Sequence, residues 1–201
     1  GKFDDFRNTL SSSLKLVFLL TLPSACGLIV LGEPIIRLIY ERGLFTVTST
    51  EMTAFALAGY SIGLTGYAAI KVLSPSFYAL DDVKTPMAIS LCSVVIYPFA
   101  GYFLMRFFSR FYVAPETPNG LAHVGLTVAT SIIALVSFTL LIFMMRRRIK
   151  RINGREILKA LFKISIASAV LSAAAFASYR GLAAFLGTEG FVVRLIEVFA
   201  P

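Results

Sequence analysis

The sequence predicts an all-α membrane protein, a polytopic bundle of helices that cross a lipid bilayer several times. Of its 201 residues, 57% are hydrophobic and only 15% are charged, and the mean hydropathy is +0.81. A soluble domain would carry about 25% charged residues. The basic residues gather between long apolar segments instead of spreading over the whole chain. We therefore expect most of this chain to lie in lipid.

The apolar segments are the predicted membrane spans. Such a span needs about 20 mostly apolar residues, because each residue rises about 1.5 Å and the hydrocarbon layer is about 30 Å thick. Five segments qualify or nearly qualify: residues 16–36, 52–80, 87–105, 121–145 and 164–187. The second is long for a straight helix, and Arg180 interrupts the fifth. A sixth apolar stretch begins at Phe191, but we leave it open because Arg194 and Glu197 interrupt it.

The basic residues predict the topology, since lysine and arginine mark the cytoplasmic ends of membrane helices. Residues 146–155 read RRRIKRINGR and contain six basic residues without an acid. This end of the fourth span is therefore placed inside. Counting back, the loop 80–86 and the amphipathic segment 1–15 also lie inside, whereas the loops 40–50 and 106–120 face outward.

The formal net charge of +8 does not indicate nucleic-acid binding, because a nucleic-acid reader spreads its basic residues over a wetted surface. We favour the interpretation of residues 146–155 as an anchor on anionic membrane lipids, worth about 1 kcal/mol per basic residue. The alternative is a binding site for a lipid headgroup or a partner.

Residues that could hold a metal or perform catalysis are few. Cys26 and Cys92 each lie inside an apolar segment without a second cysteine or histidine at ligand spacing, so we expect small, buried packing residues there. The single histidine, His123, has no acidic or cysteine cluster near it in sequence, and the acids Asp4, Asp5, Asp81 and Asp82 are expected in loops. We predict no enzyme, no catalytic residue, no metal site and no cofactor.

Three prolines lie within predicted spans. Proline removes one helical hydrogen bond and clashes with the preceding turn, so Pro23, Pro75 and Pro98 predict helices that are bent or locally opened. Transporters use such positions where helices move or line a cavity, although membrane helices in general tolerate proline. The three prolines are hinge candidates and favour a transporter.

The second span carries a polar stripe. Tyr60, Tyr67, Lys71, Ser74 and Tyr78 are spaced 7, 4, 3 and 4 residues apart, which places them on one helical face. We expect this face to avoid lipid, and Lys71, Tyr67, Ser74 and Tyr78 are our candidates for lining a substrate cavity.

Lys71 lies about 9 residues, or roughly 14 Å, before the inner loop. At that depth a lysine either extends its ammonium group to the interface or meets an anion in a water-filled cavity, and both interpretations remain open. At the opposite end of the first span, Glu33, Arg37 and Glu41 follow i, i+4 spacing and predict a ladder of ion pairs.

Several segments together carry a family resemblance. KVLSPSFYALDDVKTP (71–86) resembles the segment of the MurJ (MviN) family of lipid II flippases in which a helix ends in K-V-L-x-P-x-F-Y-A and a short loop reads D-x-x-T-P. LPSACGLIVLGEPIIRLIYERGLFT (22–46) is similar to the family's proline-bearing helix and R-G-x-F loop, and AHVGLTVATSI (122–132) to the start of a later helix. The likeness runs from about residue 7 to residue 150.

The resemblance implies a position in the family's fourteen-helix, two-lobe fold of the MOP superfamily. Residues 10–146 would be helices nine to twelve, and residues 157–201 helix thirteen and the start of fourteen. We therefore expect two parts, with 1–150 belonging to the C-terminal transport lobe and 151–201 adding truncated C-terminal helices. Both ends of the chain are expected to be cut, so that the N-terminal lobe is missing.

The resemblance also implies a function. The family moves the undecaprenyl-diphosphate-linked peptidoglycan precursor, lipid II, from the inner to the outer leaflet of the bacterial cytoplasmic membrane by alternating access of a cationic cavity. Coupling to the membrane potential or a cation gradient is possible, with the ion unknown. The alternatives are a flippase for another polyprenyl-linked glycan, a drug or cation antiporter of the same superfamily, and a membrane scaffold that does not transport.

Only residues that match the family's motifs are carried over. These are Lys71, Pro75, Phe77, Tyr78, Asp82, Thr85 and Pro86, together with Arg42, Gly43 and Phe45 in the outer loop. One departure concerns the helix after the D-x-x-T-P loop, where many members carry an asparagine or another strong oxygen ligand. This chain offers only Ser90, Ser93 and Tyr97 there, which argues against sodium coupling through that helix.

Overall fold

The computed structural model describes residues 2–41, 43–110, 120–149 and 154–186, and these residues form five long helices. In chain order the helices are α1 (Lys2–Tyr40), α2 (Val47–Tyr78), α3 (Lys84–Phe108), α4 (Ala122–Ile149) and α5 (Gly154–Leu186). All five are long and apolar enough to cross a membrane. The predicted fold class of a polytopic helix bundle is therefore confirmed, while the sixth stretch from Phe191 lies outside the described residues.

Each helix extends beyond at least one end of the apolar segment that predicted it. The clearest case is α1, which begins at Lys2, so the amphipathic segment before the first span is helical. Asp4 and Asp5 were expected in a loop, but they lie in the first turn of α1. Acidic residues are favourable there because the helix dipole is positive at its N-terminus. Likewise, Arg180 does not interrupt α5, which continues to Leu186.

The packing order of the helices differs from their order in the chain. α2 packs against α1 on one side and α4 on another, α3 packs on α4, and α5 packs on α1. By contrast, α2 and α3 are neighbours in sequence but make few contacts with each other. The order across the bundle is therefore α5, α1, α2, α4 and α3.

A hydrophobic core joins α1, α2 and α4 near one end of the bundle. Its largest fully buried side chains are Leu14, Phe18, Leu73, Phe77, Leu141 and Met145. The ring of Phe18 packs edge-on against Phe138 of α4, with ring centroids 5.9 Å apart. Because Phe77 is fully buried in this core, the last turn of α2 is fixed against its neighbours.

Small residues bring α2 and α4 into close backbone contact. A Cβ atom at Gly63 would lie 2.6 Å from the Cα of Ser131, and one at Gly66 would lie 3.1 Å from the backbone of Ala134. The buried hydroxyl of Ser131 donates to the carbonyl of Gly59 and accepts from the N–H of Gly63 at 3.0 Å. The Ser131 side chain of α4 thus hydrogen-bonds both the carbonyl and the N–H of one turn of α2. Such contacts are typical of packed membrane helices.

The three prolines do not break their helices. α1, α2 and α3 remain continuous across Pro23, Pro75 and Pro98, and the expected bend or local opening at these residues stays a prediction. Membrane helices tolerate proline because neighbouring groups and small adjustments satisfy the freed carbonyl. The role of these residues as hinges stays a prediction.

The two cysteines also differ from expectation. Cys26 is only half-buried and Cys92 is exposed, so neither is a fully buried packing residue. Cys92 is exposed because α3 packs only along its side facing α4, which leaves most of the apolar residues of α3 uncovered.

Candidate functional site

The polar stripe of α2 lies on the side of the helix that α1 and α4 leave uncovered. Tyr60, Tyr67 and Tyr78 are 48%, 42% and 50% exposed, Lys71 is exposed, and Ser74 is half-buried. Residues on the other sides of the same helix, such as Leu73 and Phe77, are fully buried. The structure therefore brings all four cavity candidates to one open surface within an otherwise apolar span.

This surface has a single basic group at its centre. No described residue forms an ion pair with Lys71, whose ammonium group is free to meet an anion or to reach the interface. Phenol and hydroxyl groups flank it one to two turns away in both directions. Such a surface can hold an anionic group and hydrogen-bond a polar one, provided that water or a ligand covers it.

A residue of α3 lies near the same surface. Tyr97 of α3 lies within electrostatic reach of Tyr67, as does Tyr60. Its hydroxyl contacts the hydroxyl of Thr130 on α4 at 3.4 Å. From the sequence, Tyr97 was expected only as a weak ion ligand, because periodicity within α2 gives no information about which residues of α3 come near.

The loop between α2 and α3 is held by an acidic residue. The carboxylate of Asp82 accepts hydrogen bonds from the N–H of Thr85 at 3.1 Å, from the hydroxyl of Thr85 at 2.9 Å and from Arg148 of α4 at 3.0 Å. The Asp82 side chain is only 10% exposed, whereas that of Arg148 is 59% exposed. We call these three residues the Asp82 junction. Asp82 lies in the α2–α3 loop, as expected, and its contacts join three helix ends.

The environment of Asp82 favours its charged form. The hydrogen bonds from the Thr85 hydroxyl and N–H lower the pKa of the Asp82 carboxyl below its ordinary value, with a smaller contribution from Arg148. Partial burial opposes this shift without reversing it. The carboxylate therefore keeps its charge, and with it its hydrogen bonds, at neutral pH.

The other residues around the loop have structural roles that follow from their chemistry. Asp81 adopts a left-handed φ of 57°, which turns the chain out of α2. The N–H of Asp82 then donates to the carbonyl of Phe77 at 3.0 Å. Pro86 is buried in the first turn of α3, where a helix does not need the missing N–H. In contrast, Pro75 is exposed.

The motif residues of the outer loop lie at the opposite end of α2. Gly43 has a φ of 62°, a left-handed conformation that glycine adopts without strain. The ring of Phe45 packs near Tyr40, with centroids 6.0 Å apart. The third motif residue, Arg42, lies outside the described residues.

The predicted ladder of ion pairs at the end of α1 is confirmed. Arg37 contacts Glu33 and Glu41, each at 3.3 Å. Glu41 also accepts a hydrogen bond at 3.0 Å from the hydroxyl of Thr50, which is fully buried in α2. The ladder thus joins α1 to α2, an interhelical contact that the i, i+4 spacing did not predict.

Two further contacts place the start of α1 beside the Asp82 junction. The guanidinium of Arg7 donates to the carbonyl of Ile149 at the end of α4, and the ammonium of Lys15 pairs with Glu156 of α5 at 3.0 Å. One side of the bundle therefore holds the start of α1, the α2–α3 loop, the end of α4 and the start of α5. The charge pattern predicted this arrangement. That this side is cytoplasmic stays a prediction. Parts of the predicted outer loop (111–119) and of the basic segment (150–153) lie outside the described residues.

The candidate ion ligands of α3 are used otherwise. The hydroxyl of Ser93 lies 2.8 Å from that of Ser137 on α4, and Ser90 is exposed. Among the described residues, no group of three or more His, Cys, Asp or Glu could hold a metal ion.

Comparison with known proteins gives consistent matches. The model of the family "Lipid II flippase MurJ" matches residues 1–196. The chain is 37% identical over 131 residues to "Probable lipid II flippase MurJ" of Rickettsia prowazekii, a match that covers 65% of this chain and 23% of the relative. It is 31% identical over 144 residues to "Lipid II flippase MurJ" of Burkholderia cenocepacia, covering 72% of this chain and 25% of the relative.

A solved structure matches over nearly the whole chain. It is described as lipid II flippase MurJ in an inward closed conformation, and it superposes with a TM-score of 0.67 at 28% identity. The match covers 97% of this chain and 36% of the solved one. This chain therefore spans about a quarter to a third of the length of the proteins that it matches.

Proposed function

Because this chain belongs to the MurJ family of lipid II flippases, we propose that the full-length protein moves lipid II from the inner to the outer leaflet of a bacterial cytoplasmic membrane. The substrate is the undecaprenyl-diphosphate-linked peptidoglycan precursor. The family match does not favour an antiporter or a scaffold without transport activity. In this proposal the protein moves its substrate without chemical change and needs no catalytic residue.

The open polar face of α2 is the observation that best supports transport. A lysine, three tyrosines and a serine on one side of an apolar helix are costly next to lipid. No described helix covers that side of α2, whereas α1 and α4 pack against its other sides. We infer that it lines the substrate cavity and that Lys71 takes part in holding the diphosphate.

This part of the protein supplies only part of the site. A diphosphate that leaves water needs several convergent cations, and Lys71 is the only basic residue in the middle of the described spans α1 to α4. The proposal therefore places the remaining cations in the N-terminal lobe. Alternating access also requires two lobes that rock about a shared site. We expect that these 201 residues alone do not transport.

The energy source is part of the proposal. We propose that transport is coupled to the membrane potential or to a cation gradient, and the ion is not assigned. Ser93, whose hydroxyl is engaged with Ser137, is a poor candidate for a cation ligand. We therefore expect the site of a coupling ion to lie outside the α3–α4 contact.

Rescue of cells tests the proposal directly. The full-length gene is expressed in bacteria depleted of their own lipid II flippase, and growth and cell shape are recorded. We expect rescue by the wild-type gene. A full-length protein that reaches the membrane at a normal level and neither rescues growth nor moves lipid II headgroups in reconstituted vesicles would contradict the proposed function.

A further inference from the structure

A cavity of about 350 Å³ opens beside the Asp82 junction, between the end of α2, the start of α3 and the end of α4. Its walls are formed by Phe77, Asp82, Thr85, Met144, Arg147 and Arg148. Lys71 does not line this cavity, since it lies nearly two turns before Phe77 in α2. The cavity is therefore separate from the candidate substrate surface.

The charges at this cavity leave cationic hydrogen-bond donors free. Arg148 uses one amino group for Asp82, although a guanidinium has five N–H donors. The guanidinium of Arg147 lies 4.4 Å from the ring centre of Phe143 and donates no hydrogen bond to any described residue. Asp82, the only acid among the described residues of the wall, is already hydrogen-bonded by Thr85 and Arg148. An anion would therefore meet unused donors more readily than an unpaired carboxylate.

The rest of the wall is apolar. Phe77, whose side chain is fully buried, lines the cavity together with Met144. Two guanidinium groups beside an apolar wall, at the end of a membrane helix, match a molecule with an anionic head and a hydrocarbon body. Basic pockets between membrane helices at the level of the headgroups bind the phosphate of anionic lipids. Arginine suits this role because its planar fork can hold two phosphate oxygens.

We propose that this cavity binds the phosphate of a membrane lipid through Arg147 and Arg148. Two sources share this chemistry: an anionic phospholipid of the surrounding leaflet and a polyprenyl phosphate. The proposal does not depend on the proposed function, because binding here needs neither the polar face of α2 nor transport.

The test measures lipid binding by the full-length protein in detergent. The probes are short-chain phosphatidylglycerol, farnesyl phosphate and, as a zwitterionic reference, short-chain phosphatidylcholine. Arg147→Gln is compared with Arg146→Gln, which removes the same charge from the neighbouring exposed residue that does not line the cavity. Loss of a charged hydrogen bond should weaken binding of the anionic probes about tenfold more in Arg147→Gln than in Arg146→Gln.

Each outcome decides the question. Tighter binding of phosphatidylglycerol or of farnesyl phosphate than of phosphatidylcholine, with a selective loss in Arg147→Gln, supports the site, and the tighter anionic probe identifies the source. Equal losses in the two variants would overturn it, because they would indicate diffuse attraction to a basic helix end. Equal binding of all three probes by the wild-type protein would overturn it as well.

Discussion

The carboxylate of Asp82 and the guanidinium of Arg148 lie 3.0 Å apart, although 66 positions separate them in the chain. This contact joins the loop between α2 and α3 to the end of α4. Since α2 and α3 make few contacts of their own, the Asp82 junction is the polar connection among these three helix ends. It gives the D-x-x-T-P motif a physical role in the position of α3.

The junction predicts coupling between its two charged residues. Asp82→Asn and Arg148→Gln should each lower the thermal stability of the full-length protein, and the double variant should lose less than the sum, because either change removes the same ion pair. The effects should be small, since Arg148 is largely exposed. The measurement is the unfolding temperature in detergent. Additive losses would show that the two residues act independently.

Asp82 also predicts that the stability of the protein depends on pH. Because the pKa of Asp82 is lowered in the folded protein, its contribution to stability is fully present above the ordinary aspartate pKa of about 4 and is lost as the pH falls through the lower folded value. Stability measured from pH 7 downward should fall less in Asp82→Asn than in wild type. Asp81→Asn removes the same charge from the exposed neighbouring residue and should keep the wild-type profile. Parallel profiles for wild type and Asp82→Asn would exclude this role.

Lys71 distinguishes a cavity from a lipid-facing surface. If it holds an anionic headgroup, Lys71→Glu should abolish rescue of flippase-depleted cells while the protein remains in the membrane at a near-normal level. Lys71→Met removes the charge and keeps the length of the side chain, and it should reduce rescue strongly. Lys84→Met, which makes the same change at the exposed start of α3, is the control. Wild-type rescue by Lys71→Met would show that Lys71 only extends to the interface.

The contact between α2 and α4 predicts a cost for one added methyl group. Gly63→Ala would place a Cβ 2.6 Å from the backbone of Ser131, so we expect a loss of about 1–3 kcal/mol from overpacking. Gly27→Ala is the matched control, because nothing lies within 4 Å of its Cβ position. Unfolding of both full-length variants in detergent provides the measurement. Equal stability of the two variants would contradict the close contact.

The topology predicts which loops are reachable from outside the cell. In a background without other cysteines, Leu44→Cys in the fully exposed outer loop should react with an impermeant thiol reagent in intact cells. Val83→Cys, also exposed but placed inside, should react only after the membrane is opened. Labelling of Val83→Cys in intact cells would reverse the predicted orientation.

Much of the fold could be predicted from the sequence, because crossing a bilayer is a local requirement. The length and apolarity of each segment determined the five spans, and helical periodicity placed Lys71, Tyr67, Ser74 and Tyr78 on one face. The ladder from Glu33 to Glu41 followed from i, i+4 spacing in the same way. These features depend on residues that are close together in the chain.

The partners of each helix were decided only in the tertiary structure. Lipid tails are as apolar as leucine, so hydrophobicity alone does not select which membrane helices pack together. The selection comes from small residues and polar groups that fit across an interface, such as Ser131 with Gly59 and Gly63. The same reasoning applies to Asp82 with Arg148, whose contact depends on how α4 packs beside α2 and α3 and not on any local pattern.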